Sequence, residues 1–233
     1  MHTFYAKGLT TTQTSFTMDE PTSKYCIQVL RMSIGDKVLL ADGLGHKYTA
    51  TISDDNRKKA VLRIDAFEAV PRVTSGLHIA IAFTKNVSRM EWFLEKAVEI
   101  GVTAITPLLT HRTEREKFKA ERFENILVSA MLQSQQFWLP VLSEPTGFVS
   151  MLGIPAAQRF IAHCLPESKT HFVDAITPGS DGVILIGPEG DFTGDEITSA
   201  LSAGFVPVSL GDTRLRTETA GMVAGALWAG ANR

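Results

Sequence analysis

The spacing of apolar residues changes character about a third of the way along the chain. Residues 1–70 hold short runs rich in β-formers: KVLLAD (37–42), HKYTATI (46–52) and AVLRIDAFEAV (60–70). DGLGHK and SDDNRKK separate them with Gly, Asp and Asn turn chemistry, so the runs read as strands joined by turns. Pro21 followed by YCIQVLR predicts one short helix. Five or so short strands with a single helix suggest a small barrel. The segment PRVTSG (71–76) then marks a boundary, giving an expected division into domains 1–72 and 73–233. Beyond it, continuous apolar runs recur at LHIAIAF (77–83), AITPLL (104–109), RFIAHC (159–164), VILIG (183–187) and VPVSLG (206–211). Runs without alternation are expected of strands covered on both faces in a parallel sheet. Helical periodicity fills the intervals at 88–100, stopped by Gly101, and at 119–136. A capping box, Thr193 with Glu196 three residues on, starts a helix that should carry Ile197 and Leu201 inward and end at Gly204. Residues 215–228 form the last helix. The second part is therefore an α/β domain with a mostly parallel sheet.

The 44% hydrophobic content of 233 residues suffices for a core without disulfides. Cys26 and Cys164 stand far apart in no ligand motif, which points to a reduced, cytoplasmic protein. Residues 1–12 lack the pattern of a signal peptide, and the apolar stretch 222–229 is too short to span a bilayer, so no membrane role is expected. No His, Cys and carboxylate cluster has metal-ligand spacing. The net charge of −2 disfavours a nonspecific nucleic-acid binder. Its distribution is uneven: residues 1–122 carry 18 Lys/Arg against 14 Asp/Glu (+4), and 123–233 carry 5 against 11 (−6). Two differently charged halves are compatible with two jobs, and equally with ordinary solvated faces.

Two loops carry the candidate chemistry, and an open α/β sheet puts both on the rim beyond the carboxyl ends of its strands. VILIGPEGDFTGDEI (183–197) breaks from a strand into Gly-Pro-Glu-Gly and restarts as a capped helix. It is no P-loop and no dinucleotide fingerprint. Glu189, Asp191, Asp195 and Glu196 would repel a phosphate; a ligand with a positive centre, such as S-adenosyl-L-methionine, suits them better. The alternative is a turn and a helix cap with no ligand. In SLGDTRLRTETAGMVAGALW (209–228), Arg214 and Arg216 sit at a helix N-terminus, where the macrodipole disfavours a cation. A salt bridge to a carboxylate such as Glu189 or Glu218, or a substrate anion, would account for them. Gly221 and Gly225, at GxxxG spacing, are expected to let the last helix approach another backbone closely.

These two segments together resemble the paired C-terminal signatures of the SPOUT-class 16S ribosomal RNA (uracil-N3)-methyltransferase family. YCIQVLRMSIGDKVLLADG, RMEWFLEKAVEIGVTAITPLLTHR and HRTEREKFKAERFENILVSAMLQS extend the resemblance over most of the chain. It departs from the family pattern at Asp212-Thr213 before Arg214, and at Tyr25, Leu132 and Gln136. The resemblance implies an N-terminal PUA-like β-barrel that helps bind RNA, and a C-terminal domain knotted as a trefoil. It implies a homodimer acting on 16S ribosomal RNA in the small ribosomal subunit. The cofactor loops map to His163, Cys164 and Leu165; to Ile186, Gly187, Pro188, Glu189 and Gly190; and to Leu210, Gly211, Leu215, Arg216 and Thr217. Removing the proton from uracil nitrogen 3 sends charge to the flanking carbonyl oxygens, so a guanidinium aimed there would stabilise the transition state. Arg216, then Arg214, are the candidates, with Glu218 to position the arginine or act as base. Arg31, Lys85, Arg89, Arg112 and Arg122 are candidate phosphate contacts. Other readings stay open: a methyltransferase of this fold acting on another RNA position, a non-catalytic RNA-binding or ribosome-assembly factor, and a small-molecule α/β enzyme.

Overall fold

The computed structural model describes residues 1–114, 118–166 and 168–232, which divide into two compact units. The first comprises Met1–Arg72 together with Met131–Leu139, and the second Val73–Ala130 with Pro140–Arg233. Residues 115–117 of the third resembling segment lie outside the described residues.

In the first unit, five strands pair in the order β1 (Thr3–Tyr5), β3 (Lys37–Ala41), β4 (His46–Asp54), β5 (Val61–Ala69) and β2 (Ser15–Thr17). The two outer strands β1 and β2 are too short for periodicity to reveal them. The sheet is antiparallel except where β1 runs parallel to β3. Alternation along β4 turns Tyr48, Ala50 and Ile52 inward, where they meet Val38, Leu40 and Leu62. Buried Asp42 organises the β3–β4 turn. Its carboxylate accepts from the Leu44 and His46 amides at 2.8 and 3.1 Å and from the Tyr48 hydroxyl at 3.3 Å, and lies 2.6 Å from His46 Nδ1. Burial, then the Asp42 charge and hydrogen bond, push the Tyr48 phenol up to about 12. Gly45 (φ 89°) lies directly under the Trp138 ring, so a side chain there would overlap the indole. The Trp138 indole N–H donates to the Val70 carbonyl, which fixes Met131–Leu139 to this unit. The predicted short helix is α1 (Glu20–Lys24), capped by Asp19 and continued by a π-turn over Tyr25–Val29.

The second unit is the expected parallel α/β sheet. Its strands run β11 (Thr170–His171), β13 (Val206–Ser209), β10 (Gln158–Ala162), β12 (Gly182–Ile186), β6 (Leu77–Ile81), β7 (Ala104–Leu109) and β8 (Val141–Leu142), with β9 (Thr146–Gly147) also on β7. All five residues of β12 are buried, as a central strand requires. Helices α2 (Val87–Glu99), α3 (Ala120–Gln133), α6 (Gly194–Ser202) and α7 (Thr217–Ala231) match the four periodic segments, with single turns α4 (Phe148–Met151) and α5 (Phe172–Ala175) between them. The capping box at Thr193 and Glu196 is formed. Leu201 is a correction: Ile197 and Ala200 are buried, whereas Leu201 is 39% exposed. The inward stripe of this short helix follows the three-residue spacing, and one position further rotates away. Gly221 and Gly225 also differ in detail, because they face the side chains of Phe93 with Ile81 and of Ile100 with Val102 rather than another backbone.

Candidate active site

β13, β10 and β12 are neighbours, and β10 is flanked by strands that both follow it in sequence. The chain therefore leaves β10 to opposite sides, which opens a crevice at the carboxyl ends of the strands. A cavity of about 750 Å³ occupies it. Three loops wall the cavity: the one after β10 with His163 and Cys164, the one after β12 with Gly187, Pro188 and Glu189, and the one after β13 from Leu210 to Arg216. The three segments lie up to 53 residues apart in sequence and meet only through strand order.

Eleven of the thirteen cofactor-loop residues line this cavity, which gathers them in one place; Leu165 and Gly190 do not. Leu165 packs against the hydrophobic cluster around Phe192, and its carbonyl accepts from Lys169 Nζ at 2.6 Å. The Gly190 carbonyl accepts from the Arg112 guanidinium, and a β-carbon on Gly190 would come within 3.3 Å of Arg112 Cδ. Thr217 Oγ1 donates to the Gly187 carbonyl at 3.2 Å, clamping the start of α7 to the Gly-Pro-Glu-Gly loop. Arg216 is the N-cap of α7 by backbone, with no capping bond from its side chain, and both Arg214 and Arg216 are exposed at the cavity.

The acidic residues of the 183–197 segment have mostly internal employment. Asp191, in a left-handed conformation (φ 63°), accepts from the Cys164 and Phe192 amides at 2.8 Å each. Glu196 closes the capping box and accepts from the His111 amide at 2.8 Å. Asp195 is exposed in the first turn of α6, where the helix dipole favours it. Their charge thus satisfies backbone donors, and it need not select a cationic ligand. Only Glu189 faces the cavity as a side chain not used by the backbone, paired with Arg89 at 3.8 Å.

Arg89 is the principal residue missed at this site. The basic character of residues 1–122 makes it a candidate phosphate contact; it also lines the cavity and reaches both Glu189 and, at 3.6 Å, the buried carboxylate of Glu218. Pairing of β6 with β12 sets the segment that follows β6, where Arg89 lies, beside the Gly-Pro-Glu-Gly loop that follows β12, which no local pattern could reveal. Lys169 was also missed; its ammonium holds the His163 and Leu165 carbonyls at 2.8 and 2.6 Å. Of the other candidate phosphate contacts, Lys85 pairs with Glu114 at 2.6 Å, Arg122 with Glu91, and Arg112 with the loop carbonyls of Gly190 and Phe192. Arg31 lies in the first unit, with no carboxylate paired to it among the described residues.

Residues 72–229 match the RNA methyltransferase domain family, and residues 19–65 match the RNA methyltransferase PUA domain. A ribosomal RNA small subunit methyltransferase E of Synechocystis sp. is 33% identical over 207 residues, covering 86% of this chain and 68% of the relative. The chain belongs to the ribosomal RNA small subunit methyltransferase E family. A "probable rRNA-methyltransferase" from Porphyromonas gingivalis is 40% identical, with a TM-score of 0.91 over 97% of this chain and 95% of its own. A family member from Neisseria gonorrhoeae, solved bound to S-adenosyl methionine, is 28% identical, with a TM-score of 0.84 over 97% of this chain and 95% of its own. Family membership therefore extends over both units. Among the described residues, no helix is long and apolar enough to cross a membrane.

Proposed function

We propose that this protein methylates ring nitrogen 3 of a uridine in 16S ribosomal RNA, with S-adenosyl-L-methionine as methyl donor and the small ribosomal subunit as substrate. The observation that carries the reading is one cavity walled by the three loops and lined by two exposed arginines, with Arg89 of its lining reaching the buried carboxylate of Glu218. Its volume of about 750 Å³ falls in the range of small-molecule sites, and Ile186, Leu210 and Leu215 offer an apolar lining beside exposed loop backbone. These residues suit a nucleoside with an amino-acid tail. Bound there, the cofactor supplies an electrophilic methyl carbon on a sulfonium.

The chain's own residues supply the rest. Glu218 is a buried carboxylate in the first turn of α7, 3.6 Å from the Arg89 guanidinium. In this reading it accepts the nitrogen 3 proton, which leaves the uracil ring anionic and nucleophilic. Arg216, with Arg214 beside it, donates to the carbonyl oxygens that share the charge. The nitrogen lone pair forms the new bond to the methyl carbon as the carbon–sulfur bond breaks, and the proton remains on the base until solvent takes it. No metal and no covalent enzyme intermediate are needed.

In the same reading the first unit is a PUA-like barrel that helps hold the RNA. The second is a SPOUT domain whose three loops belong to a trefoil knot, and the protein works in the cytoplasm. Two copies pair through α7. That helix carries one charged residue, Glu218, in fifteen, yet Met222, Val223, Ala226 and Leu227 are not buried within this chain. A helix apolar on every side needs a partner on its outer face.

The test is methyl transfer from labelled cofactor to small ribosomal subunits lacking the modification, followed by digestion to nucleosides. N3-methyluridine in the wild-type digest, lost in Arg216→Ala, is the expected result. A different methylated nucleoside overturns the base assignment. Saturable cofactor binding without transfer to subunits or to naked RNA favours the non-catalytic binder. Light scattering would give twice the chain mass if the α7 pairing is right.

A further inference from the structure

We propose that the turn from Tyr25 to Arg31 is a contact site for an unpaired stretch of RNA, in which a base stacks on Tyr25 and Val29 and Arg31 takes the neighbouring phosphate. The inference rests on the reading of the protein as an RNA methyltransferase, and adds a surface outside its cavity.

The turn is fixed from within. Cys26 is fully buried, and Ile27, Leu30 and Met32 pack on the core of the first unit. With the inner face anchored, the outer face is determined. It presents Tyr25 at 52% exposure and Val29 at 65%, four positions apart, with Gln28 exposed between them. No described residue hydrogen-bonds the Tyr25 hydroxyl. A large aromatic ring flanked by a branched aliphatic side chain is a costly surface to leave in water, and a suitable platform for the face of a base.

The local backbone departs from an α-helix in a way that builds this platform. The turn closes as a π-turn, the Leu30 amide bonding to the Tyr25 carbonyl at 3.0 Å. Single π-turns concentrate at functional positions. The chain then leaves through Arg31 at φ 56°. Glycine or asparagine ordinarily occupies such a helix-ending position, because a β-carbon is disfavoured there. An arginine kept in that conformation needs a reason outside the fold of the turn. Internal pairing does not provide one, since no described carboxylate pairs with Arg31. The other four candidate phosphate contacts have protein partners; Arg31 is the member of that set without an ion pair among the described residues. An exposed ring beside an unneutralised guanidinium matches the alternating faces and phosphates of single-stranded nucleic acid.

The test uses the full-length protein in three readouts: cofactor binding by calorimetry, anisotropy of a fluorescein-labelled oligouridylate at two salt concentrations, and the KM for small ribosomal subunits. Arg31→Gly should raise the melting temperature, because it relieves the left-handed backbone. It should also weaken oligouridylate binding about tenfold and reduce the salt slope by about one. Tyr25→Ala should weaken binding about tenfold or more, and Tyr25→Phe should restore it, because stacking uses the ring and not the hydroxyl. Cofactor binding should be unchanged in all three. The proposal is overturned if Arg31→Gly and Tyr25→Ala bind oligouridylate and methylate subunits as the wild type does. It is equally overturned if they act normally on naked ribosomal RNA and fail only on assembled subunits, which would make the partner a protein. A wild type that transfers no methyl to RNA would sink the broader reading instead, and the anisotropy of the variants would still decide this one.

Discussion

Three glycines in α7 offer a graded test of how that helix is seated. Gly230 has open space where a β-carbon would go. There Gly→Ala simply removes the backbone-entropy penalty of glycine in a helix, a gain of about 0.5–1 kcal/mol. At Gly221 the same β-carbon would lie 2.5 Å from Phe93 Cε2 and 2.9 Å from Ile81 Cδ1. Phe93 and Ile81 are fully buried, so neither can swing aside cheaply. Overpacking of that kind costs about 1–3 kcal/mol, and here the upper half of the range applies because one neighbour is a rigid ring. Net of the helix gain, Gly221→Ala should lose about 1–2 kcal/mol. Gly225 falls between, because its nearest neighbour, at 2.5 Å, is the methyl end of the flexible Ile100 side chain. Urea denaturation followed by circular dichroism should therefore rank Gly230→Ala above wild type, Gly225→Ala near it and Gly221→Ala below it. About 2 kcal/mol or more should separate the extremes, or roughly 4–8 °C in melting temperature. Gly221→Ala should also weaken cofactor binding, because displacing α7 carries Arg216, Thr217 and Glu218 with it, while Gly230→Ala leaves binding alone. Equal stability of the Gly221 and Gly230 variants would refute this account of the packing.

Other consequences can be checked separately. Burial holds the His78 imidazole down at about 4, against 6.5 in the unfolded chain. Its contribution is therefore intact above pH 6.5 and declines as pH falls toward 4, where the unfolded chain takes a proton that the folded one refuses; the loss reaches roughly 2–3 kcal/mol. In His78→Asn, the urea midpoint should fall less between pH 7 and pH 4.5, and an unchanged slope would contradict the assignment. Asp42→Ala strands the donors of the β3–β4 turn and should cost about 3 kcal/mol or more in the first unit, read by hydrogen exchange at His46 and Leu44. Thr193→Ala should cost about 1 kcal/mol as a lost cap, and Glu196→Ala more, because Glu196 also holds the His111 amide.

The elements that could be read from the sequence are those with a long enough pattern. AITPLL coincides with β7, and Gly101 (φ 84°) ends α2 where a left-handed residue is required. Two-residue strands such as β8, β9 and β11 contain no period to detect. The loops of the site were legible as motifs, but their internal wiring was not. Asp191 and Glu196 read as a charged surface facing a ligand, whereas their partners are amides 27 and 85 positions away or within the same turn. Arg89 and Glu218 are 129 positions apart, and their pairing depends on strand order, which local propensity does not encode.

The return of Met131–Leu139 to the first unit bears on how this protein can be divided or inherited. A fragment ending at Arg72 would keep all five strands yet lose the indole that covers Gly45 and the bond to Val70. The N-terminal unit is thus not a cassette that recombination could lift out at one cut and graft elsewhere. The later part of the gene encodes a piece of the first unit's own cover, so that unit should not be gained or duplicated without residues 131–139.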